Sequence, residues 1–111
     1  MNRETKIAER VVMSRFHMGV FFKGNTIEIS VPFRPDQQLS YEVTNTLAGI
    51  ERYFDGVEPE IKGWFASSGI RADVFPSTIS EREHIVFRTI RLDGVLDVEQ
   101  KSEFVKFMDR T

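Results

Sequence analysis

The chain contains no cysteine, and this absence excludes disulfide bonds, thiolate metal ligands and cysteine nucleophiles. Long apolar runs are also missing: apolar runs such as residues 20–22 are only a few residues long, whereas a membrane-spanning helix needs about 20 apolar residues. Charged residues are spread through residues 3–10, so this segment lacks the apolar centre of a signal peptide. We expect a protein of the reducing cytoplasm that does not enter a membrane.

Few residues suited to catalysis or metal binding are present. The two histidines, His17 and His84, each fall at the expected start of a strand, and without cysteine they form no familiar transition-metal spacing. Glu58 and Glu60 flank a proline at an expected helix start, where carboxylates interact favourably with the helix dipole. Neither a serine nucleophile elbow nor a glycine-rich phosphate loop occurs. The sequence therefore predicts no catalytic residue, no metal site and no cofactor, and an enzyme is the less favoured class.

Composition is that of an ordinary globular domain. The 111 residues are 41% apolar and 29% charged, which differs from a disordered chain. A chain of this length can bury its own core, so we expect a single domain over residues 1–111. The net charge of −2 argues against a strongly basic nucleic-acid binder and against an acidic nucleic-acid mimic. An electrostatic partner would have to recognise a local patch.

Two alternating segments flank Gly24-Asn25, and this pattern predicts a β-hairpin with a defined register. Lys23 is expected opposite Thr26 at the turn. On one face every further pair is apolar: Phe22 with Ile27, Val20 with Ile29, Met18 with Val31, and Phe16 with Phe33. On the other face the pairs are Phe21 with Glu28, Gly19 with Ser30, and His17 with Pro32. The first face should meet the core, and the second should be polar except for Phe21.

Apolar spacing and capping residues predict four helices. They are a short amphipathic helix over residues 2–14, a long helix from Asp36 to Gly56, a shorter helix from Pro59 to Gly69, and a last helix that begins at a capping box of Asp97 and Gln100 and ends at Arg110. In the last helix, Val98, Val105 and Met108 are expected to face the core. Alternation predicts a strand over residues 70–74, a polar loop over 77–83, and a long strand over 84–92 that is apolar on both sides and therefore lies inside the sheet.

The predicted element order is α-β-β-α-α-β-β-α. Antiparallel hairpins separated by helices are typical of the α+β class. We therefore expect a single α+β domain with a mainly antiparallel sheet from two β-hairpins and with helices packed mainly on one face. The order of the strands within the sheet stays open.

Phe21 is the main candidate for binding. The hairpin register gives it a position on the non-core face between His17 and Lys23 and opposite Glu28, and an exposed aromatic beside basic residues is typical of a binding surface. If the two hairpins join in one sheet, Phe87 and Arg91 extend the same face. This face would contact a second copy or a protein partner, or be covered by a helix of the chain itself, or stack RNA bases, with Arg88 as a further contact.

Trp64 is a separate candidate, because adjacent Trp64 and Phe65 on one helix cannot both point fully inward. One of them is expected in the core and the other partly exposed. Tryptophan is enriched at interface hot spots, but in a small domain it is more often a core anchor.

The favoured hypothesis is a small cytoplasmic, non-enzymatic protein-protein interaction or regulatory module, a homodimer or other homo-oligomer that presents a sheet face. The first alternative is a nucleic-acid-binding regulator that uses exposed sheet aromatics with arginine and lysine. The second is a small-ligand-binding or catalytic domain around His17 or His84. The candidate binding residues are Phe21, His17, Lys23, Glu28, Phe87, Arg91 and Trp64.

Overall fold

The computed structural model describes residues 10–12, 18–33 and 46–111. In this part of the chain lie six strands and two helices: β1 (Arg10–Val12), β2 (Met18–Lys23), β3 (Thr26–Pro32), α1 (Leu47–Ala66), β4 (Ala72–Val74), β5 (Thr78–Ser80), β6 (Ile85–Leu92) and α2 (Val98–Arg110). All strand pairs are antiparallel, and both helices contribute to a core on one side of the sheet. The predicted α+β class is confirmed.

The β2–β3 hairpin has the predicted register. The pairs are Lys23 with Thr26, Phe22 with Ile27, Phe21 with Glu28, Val20 with Ile29, and Gly19 with Ser30. Gly24 has a φ of +59°, a conformation that favours glycine at the first central position of a primed turn. Asn25 connects the turn to β6, because its Nδ2 donates to the Leu92 carbonyl at 3.0 Å. The predicted pairings of Phe16 and His17 lie outside the described residues.

The strands form one sheet in the order β1-β2-β3-β6-β4, and β5 pairs with β6 next to β4. The long strand β6 therefore lies inside the sheet, as its two apolar faces predicted. β4 and β5 together form an interrupted edge: between the pairs Val74 with Ile90 and Thr78 with Phe87, residues 75–77 stand opposite residues 88–89. One extra residue on this side makes residues 75–77 a β-bulge. Pro76 lies within the bulge and has no N–H to donate. The polar loop predicted over 77–83 is wrong for residues 78–80, which form β5.

Residues 10–12 belong to a strand and not to the helix predicted over residues 2–14. Arg10 pairs with Val20, and Val12 pairs with Met18, at the edge of the sheet. Pairing satisfies the backbone groups of the β2 edge, and Val11 and Val12 are β-branched residues that suit a strand. The rest of the predicted helix lies outside the described residues.

A single helix, α1, takes the place of the two helices predicted on either side of Pro59. Its buried residues recur along one side over the whole length: Ile50, Tyr53, Phe54, Val57, Ile61 and Phe65. Burial of a side chain such as Val57 or Ile61 contributes about 1.5–3 kcal/mol, while an interior proline costs about 3 kcal/mol. Packing on both sides of Pro59 thus offsets the local preference for a break.

The ends of α1 have identifiable signals. Thr46 is the N-cap, and its Oγ1 accepts a hydrogen bond from the Gly49 N–H at 3.1 Å. The predicted N-cap, Asp36, lies outside the described residues. After the helix, Gly69 has a φ of +76°, and the Ile70 N–H returns to the Phe65 carbonyl at 2.9 Å. This closure confirms Gly69 as the predicted terminator.

The core lies between the helices and the inner face of the sheet. The buried apolar residues that β2, β3 and β6 contribute to this inner face are Met18, Val20, Phe22, Ile27, Ile29, Val31, Val86, Ile90 and Leu92. Phe65 of α1 and Phe104 of α2 are fully buried and stacked, with ring centroids 5.2 Å apart. The prediction for Val98 is wrong: it is 81% exposed, because the first turn of α2 extends beyond the core and Leu96, just before the helix, is buried instead.

The capping box predicted at the start of α2 is confirmed. The Asp97 side chain accepts from the Gln100 N–H at 2.8 Å, and the Gln100 side chain accepts from the Asp97 N–H at 2.9 Å. We expect Asp97→Ala to lower the free energy of unfolding by about 1 kcal/mol in urea denaturation, because the helix loses its side-chain acceptor. Asp97→Asn keeps an acceptor and should lose less than half as much. Equal losses in the two variants would contradict the role of the cap.

Candidate functional site

The sheet has a second face, and neither of the described helices packs on it. The alternate residues of β2, β3 and β6, with their neighbours in β4 and β5, form this outer face. Read across the sheet, its rows are Lys23, Thr26, Arg91 and Asp73; then Phe21, Glu28 and Thr89; then Gly19, Ser30, Phe87 and Thr78; and last Pro32, Ile85 and Ser80. The pairing of β3 with β6 therefore joins the two hairpins into one continuous surface.

A groove of about 760 Å³ lies on the outer face. Its lining is Phe21, Lys23, Thr26, Glu28, Ser30, Ile85, Phe87 and Thr89. Phe21, Ile85 and Phe87 are each partly exposed, although apolar side chains of this size are usually buried. Charged and hydroxyl side chains surround them. An apolar centre with a polar rim is the composition of a binding interface.

The ring of Phe21 lies against the backbone of its own strand. A Cβ atom added at Gly19 would be 2.9 Å from Phe21 Cε2 and 2.9 Å from Ser30 Oγ, so only glycine leaves room for this ring. A larger residue at position 19 would therefore displace the Phe21 ring from this position.

The charged side chains of the outer face have few partners. Lys23, Glu28 and Arg91 are exposed and form no ion pair within the described part of the chain. The Arg91 guanidinium lies 5.5 Å from the ring centroid of Phe75, next to the bulge. Asp73 lies across the strand pair from Arg91, and its Oδ1 is 3.7 Å from Nε of Arg71 at an exposed position. Lys23, Glu28 and Arg91 are therefore available to the charges of a partner.

The structure brings most of the predicted binding residues together. Phe21, Lys23, Glu28, Phe87 and Arg91 all belong to the outer face. The groove adds residues that sequence reasoning missed: Thr26, Ser30, Ile85 and Thr89. The hairpin register was the signal for Thr26 and Ser30, whereas Ile85 and Thr89 join this face only through the pairing of β3 with β6.

Two predicted residues are not brought to this face. His17 lies outside the described residues. Trp64 lies in the helix layer, on the opposite side of the sheet, where its ring stacks on Phe107 with centroids 5.4 Å apart. Trp64 is partly exposed and Phe65 is fully buried, which confirms that only one member of this aromatic pair points fully inward.

Arg88 does not lie on the outer face, so its predicted contact with RNA bases or phosphates is wrong. The alternation of β6 turns it to the inner face with Val86 and Ile90, and it is 5% exposed. Its guanidinium carbon lies 4.9 Å from the ring centroid of Phe54 on α1. A strand that is apolar on both sides can still include one buried cation if acidic residues of the packed helix surround it.

The partners of Arg88 are Glu51, Asp55, Glu58 and Ser77, which with Arg88 we call the Arg88 cluster. Nη2 of Arg88 lies 3.1 Å from Oε1 of Glu51 and 3.8 Å from Oδ1 of Asp55, and Nη1 lies 3.7 Å from Oε1 of Glu58. Nε of Arg88 donates to Ser77 Oγ at 2.9 Å, and this hydroxyl donates to Glu51 at 3.0 Å. The bulge thus positions Ser77 to connect the sheet edge with α1. The cluster holds these elements together.

The remaining histidine has a local role in a turn. His84 is exposed, has a φ of +57°, and its ring lies 5.6 Å from the ring of Phe33. Histidine is among the residues that tolerate a positive φ. Within residues 10–12, 18–33 and 46–111, no group of three or more histidine, aspartate or glutamate side chains is arranged to hold a metal ion.

Comparison with known proteins gives no matching family model, no similar curated protein and no similar solved structure. The two described helices do not combine the length and apolar character that crossing a membrane requires. Function is therefore inferred from the chemistry of the outer face.

Proposed function

We propose that the chain is a small cytoplasmic protein-binding module, of a regulatory kind, that self-associates through its outer face. The observation that most supports this function is the groove between Phe21 and Phe87, where partly exposed aromatic side chains lie on a sheet face that neither described helix covers. Apolar area of this kind on a small protein marks a contact surface, because its burial removes it from water.

The distribution of side chains favours a protein partner over a nucleic acid. Phe21, Ile85 and Phe87 supply an apolar centre, and the charges lie around it, as in protein interfaces. A surface that binds nucleic acid would need a large basic excess, but on this face Glu28 and Asp73 lie among Lys23, Arg91 and Arg71. The buried Arg88 supplies no further cation.

Sedimentation velocity over a dilution series tests this function. We expect the wild-type chain to dimerise at micromolar concentrations and Phe21→Ala to raise the dissociation constant at least about thirtyfold, since central aromatic side chains contribute about 2 kcal/mol or more to an interface. The far-UV circular dichroism spectrum should stay unchanged, because the Phe21 side chain is only partly buried. Val98→Ala is the matched control, as Val98 is 81% exposed outside the outer face.

Three results would contradict this function. A wild-type chain that stays monomeric at high micromolar concentration removes self-association. Unfolding of Phe21→Ala would mean that the ring is covered within the chain. Binding of labelled single-stranded RNA that weakens steeply with salt would favour the nucleic-acid alternative.

A further inference from the structure

The charges of the outer face are arranged so that the face complements itself. Lys23 on β2 and Asp73 on β4 stand in the same row, at opposite sides of the sheet, with Thr26 and Arg91 between them. One flank of the row is therefore basic and the other acidic. A second copy turned over onto this face can place its basic flank on the acidic flank of the first.

The register indicates which rotation achieves this. A two-fold axis that runs parallel to the strands, between β3 and β6, exchanges β2 with β4 and β3 with β6. Lys23 of one copy then faces Asp73 of the other. Arg91 faces Thr26 of the other copy. Glu28 is the next outer-face residue of β3 after Thr26, so it is the carboxylate next to Arg91 across the interface. Lys23, Arg91 and Glu28 each gain an opposite charge, and Asp73, which lies 3.7 Å from Arg71 of its own chain, gains a second cation.

The apolar residues fit the same rotation. Ser30 and Phe87 stand in one row on β3 and β6, so the small side chain of each copy faces the aromatic ring of the other. Phe21 faces the side of the sheet where Phe75, which is 38% exposed, follows β4. The N–H of Phe75 donates to the Thr89 carbonyl at 2.9 Å, which puts it level with the row of Phe21. Aromatic pairs of this kind stabilise interfaces.

We propose that two copies of the chain pack outer face to outer face about a two-fold axis parallel to the strands, which pairs Lys23 with Asp73 and Arg91 with Glu28. This arrangement rests on the proposed function, because it specifies the partner of the same face. A rotation about an axis across the strands would instead place Arg91 over Ile85, which supplies no carboxylate. Charge pairing distinguishes the two orientations.

The area on offer approaches that of a standard interface. The four strand positions that the rotation superposes, at about 4.8 Å spacing, and the eight residues of β6 at about 3.4 Å each give roughly 520 Å² of flat sheet. Side chains raise the accessible area above this value, and a standard interface buries about 800 Å² on each partner. Two sheets that pack face to face with nearly parallel strand directions form an aligned β-sandwich arrangement.

Charge reversal with mixing tests the orientation. We expect Lys23→Glu alone and Asp73→Lys alone each to raise the dissociation constant at least about tenfold, because like charges then face each other twice in every dimer. An equimolar mixture of the two variants should return to within about threefold of the wild-type value, since each mixed dimer contains two opposite-charge pairs. Lys106→Glu on α2, where the side chain is 61% exposed, is the control and should not change dimerisation.

The outcomes separate the two proposals. If the mixture remains as weak as either variant alone while Phe21→Ala still dissociates the wild-type dimer, this orientation is overturned and the proposed function stands. If the wild-type chain is monomeric, both are overturned. Recovery only in the mixture supports the orientation, because changes within one chain cannot produce it.

Discussion

Replacing Arg88 with alanine is expected to lower the free energy of unfolding by about 2–4 kcal/mol. The side chain is almost fully buried, and its removal leaves Glu51 and Glu58 facing each other without the cation between them. These carboxylates are about one-third exposed, so water compensates part of the loss, and the effect stays below that of a fully buried pair. The contact with the Phe54 ring is lost as well.

Urea denaturation followed by circular dichroism measures this effect. Arg52→Ala is the matched control, because Arg52 is exposed on α1, the helix that carries Glu51 and Glu58, and its removal changes the net charge equally. We expect the control to stay within about 0.5 kcal/mol of the wild type. Arg88→Met retains much of the apolar stem and separates packing from charge. A loss below about 1 kcal/mol for Arg88→Ala would mean that the Arg88 cluster does not stabilise the fold.

Phe104→Ala is expected to have the largest effect of the substitutions considered, a loss of about 3–5 kcal/mol. The ring is fully buried between both helices and the sheet, and it contacts Phe65, Trp64 and Phe22, with ring centroids 5.2, 5.5 and 6.2 Å away. Alanine would leave a cavity that these rings cannot fill without changing their rotamers. The stacked and edge contacts add to the loss of buried area.

The lone tryptophan, Trp64, supplies the readout, because its fluorescence reports on the same aromatic cluster. Phe107→Ala is expected to lose about half as much stability, since Phe107 is only partly buried. Val98→Ala should change the free energy of unfolding by no more than about 0.5 kcal/mol. Similar losses for Phe104→Ala and Val98→Ala would contradict the observed packing of α2.

The features that were predictable are local in sequence. The register of the β2–β3 hairpin follows from Gly24-Asn25 and from the alternation on either side, because a two-residue turn leaves few other pairings. The capping box needs only Asp97 and Gln100, three residues apart. In both cases the interacting groups are close along the chain, so their chemistry is visible in a short segment.

The continuity of α1 was not predictable from local signals. Gly56 and Pro59 are residues that often end a helix, and they predict a long helix that ends at Gly56 and a shorter one that begins at Pro59. Whether the helix continues through Pro59 depends on the burial of Val57 and Ile61 in the core, which is a property of the tertiary structure. Packing outweighed propensity here, as it commonly does within a domain.

The candidate site was predictable in part. Phe21, Lys23 and Glu28 follow from the hairpin alone. Phe87 and Arg91 join them on one surface only because β3 pairs with β6. These strands are separated by more than fifty residues, and no short segment specifies such a pairing. The orientation of Arg88, by contrast, follows from the two-residue period of β6, which was available in the sequence.

The interrupted edge formed by β4 and β5 limits how copies of this chain can assemble. A continuous edge strand accepts a strand from a neighbour, and repeated addition propagates into fibres. Here the bulge over residues 75–77, with Pro76, breaks the row of backbone donors that such propagation requires. Strand addition on this side is therefore obstructed, and contact through the outer face would end in a closed pair and not in a growing filament.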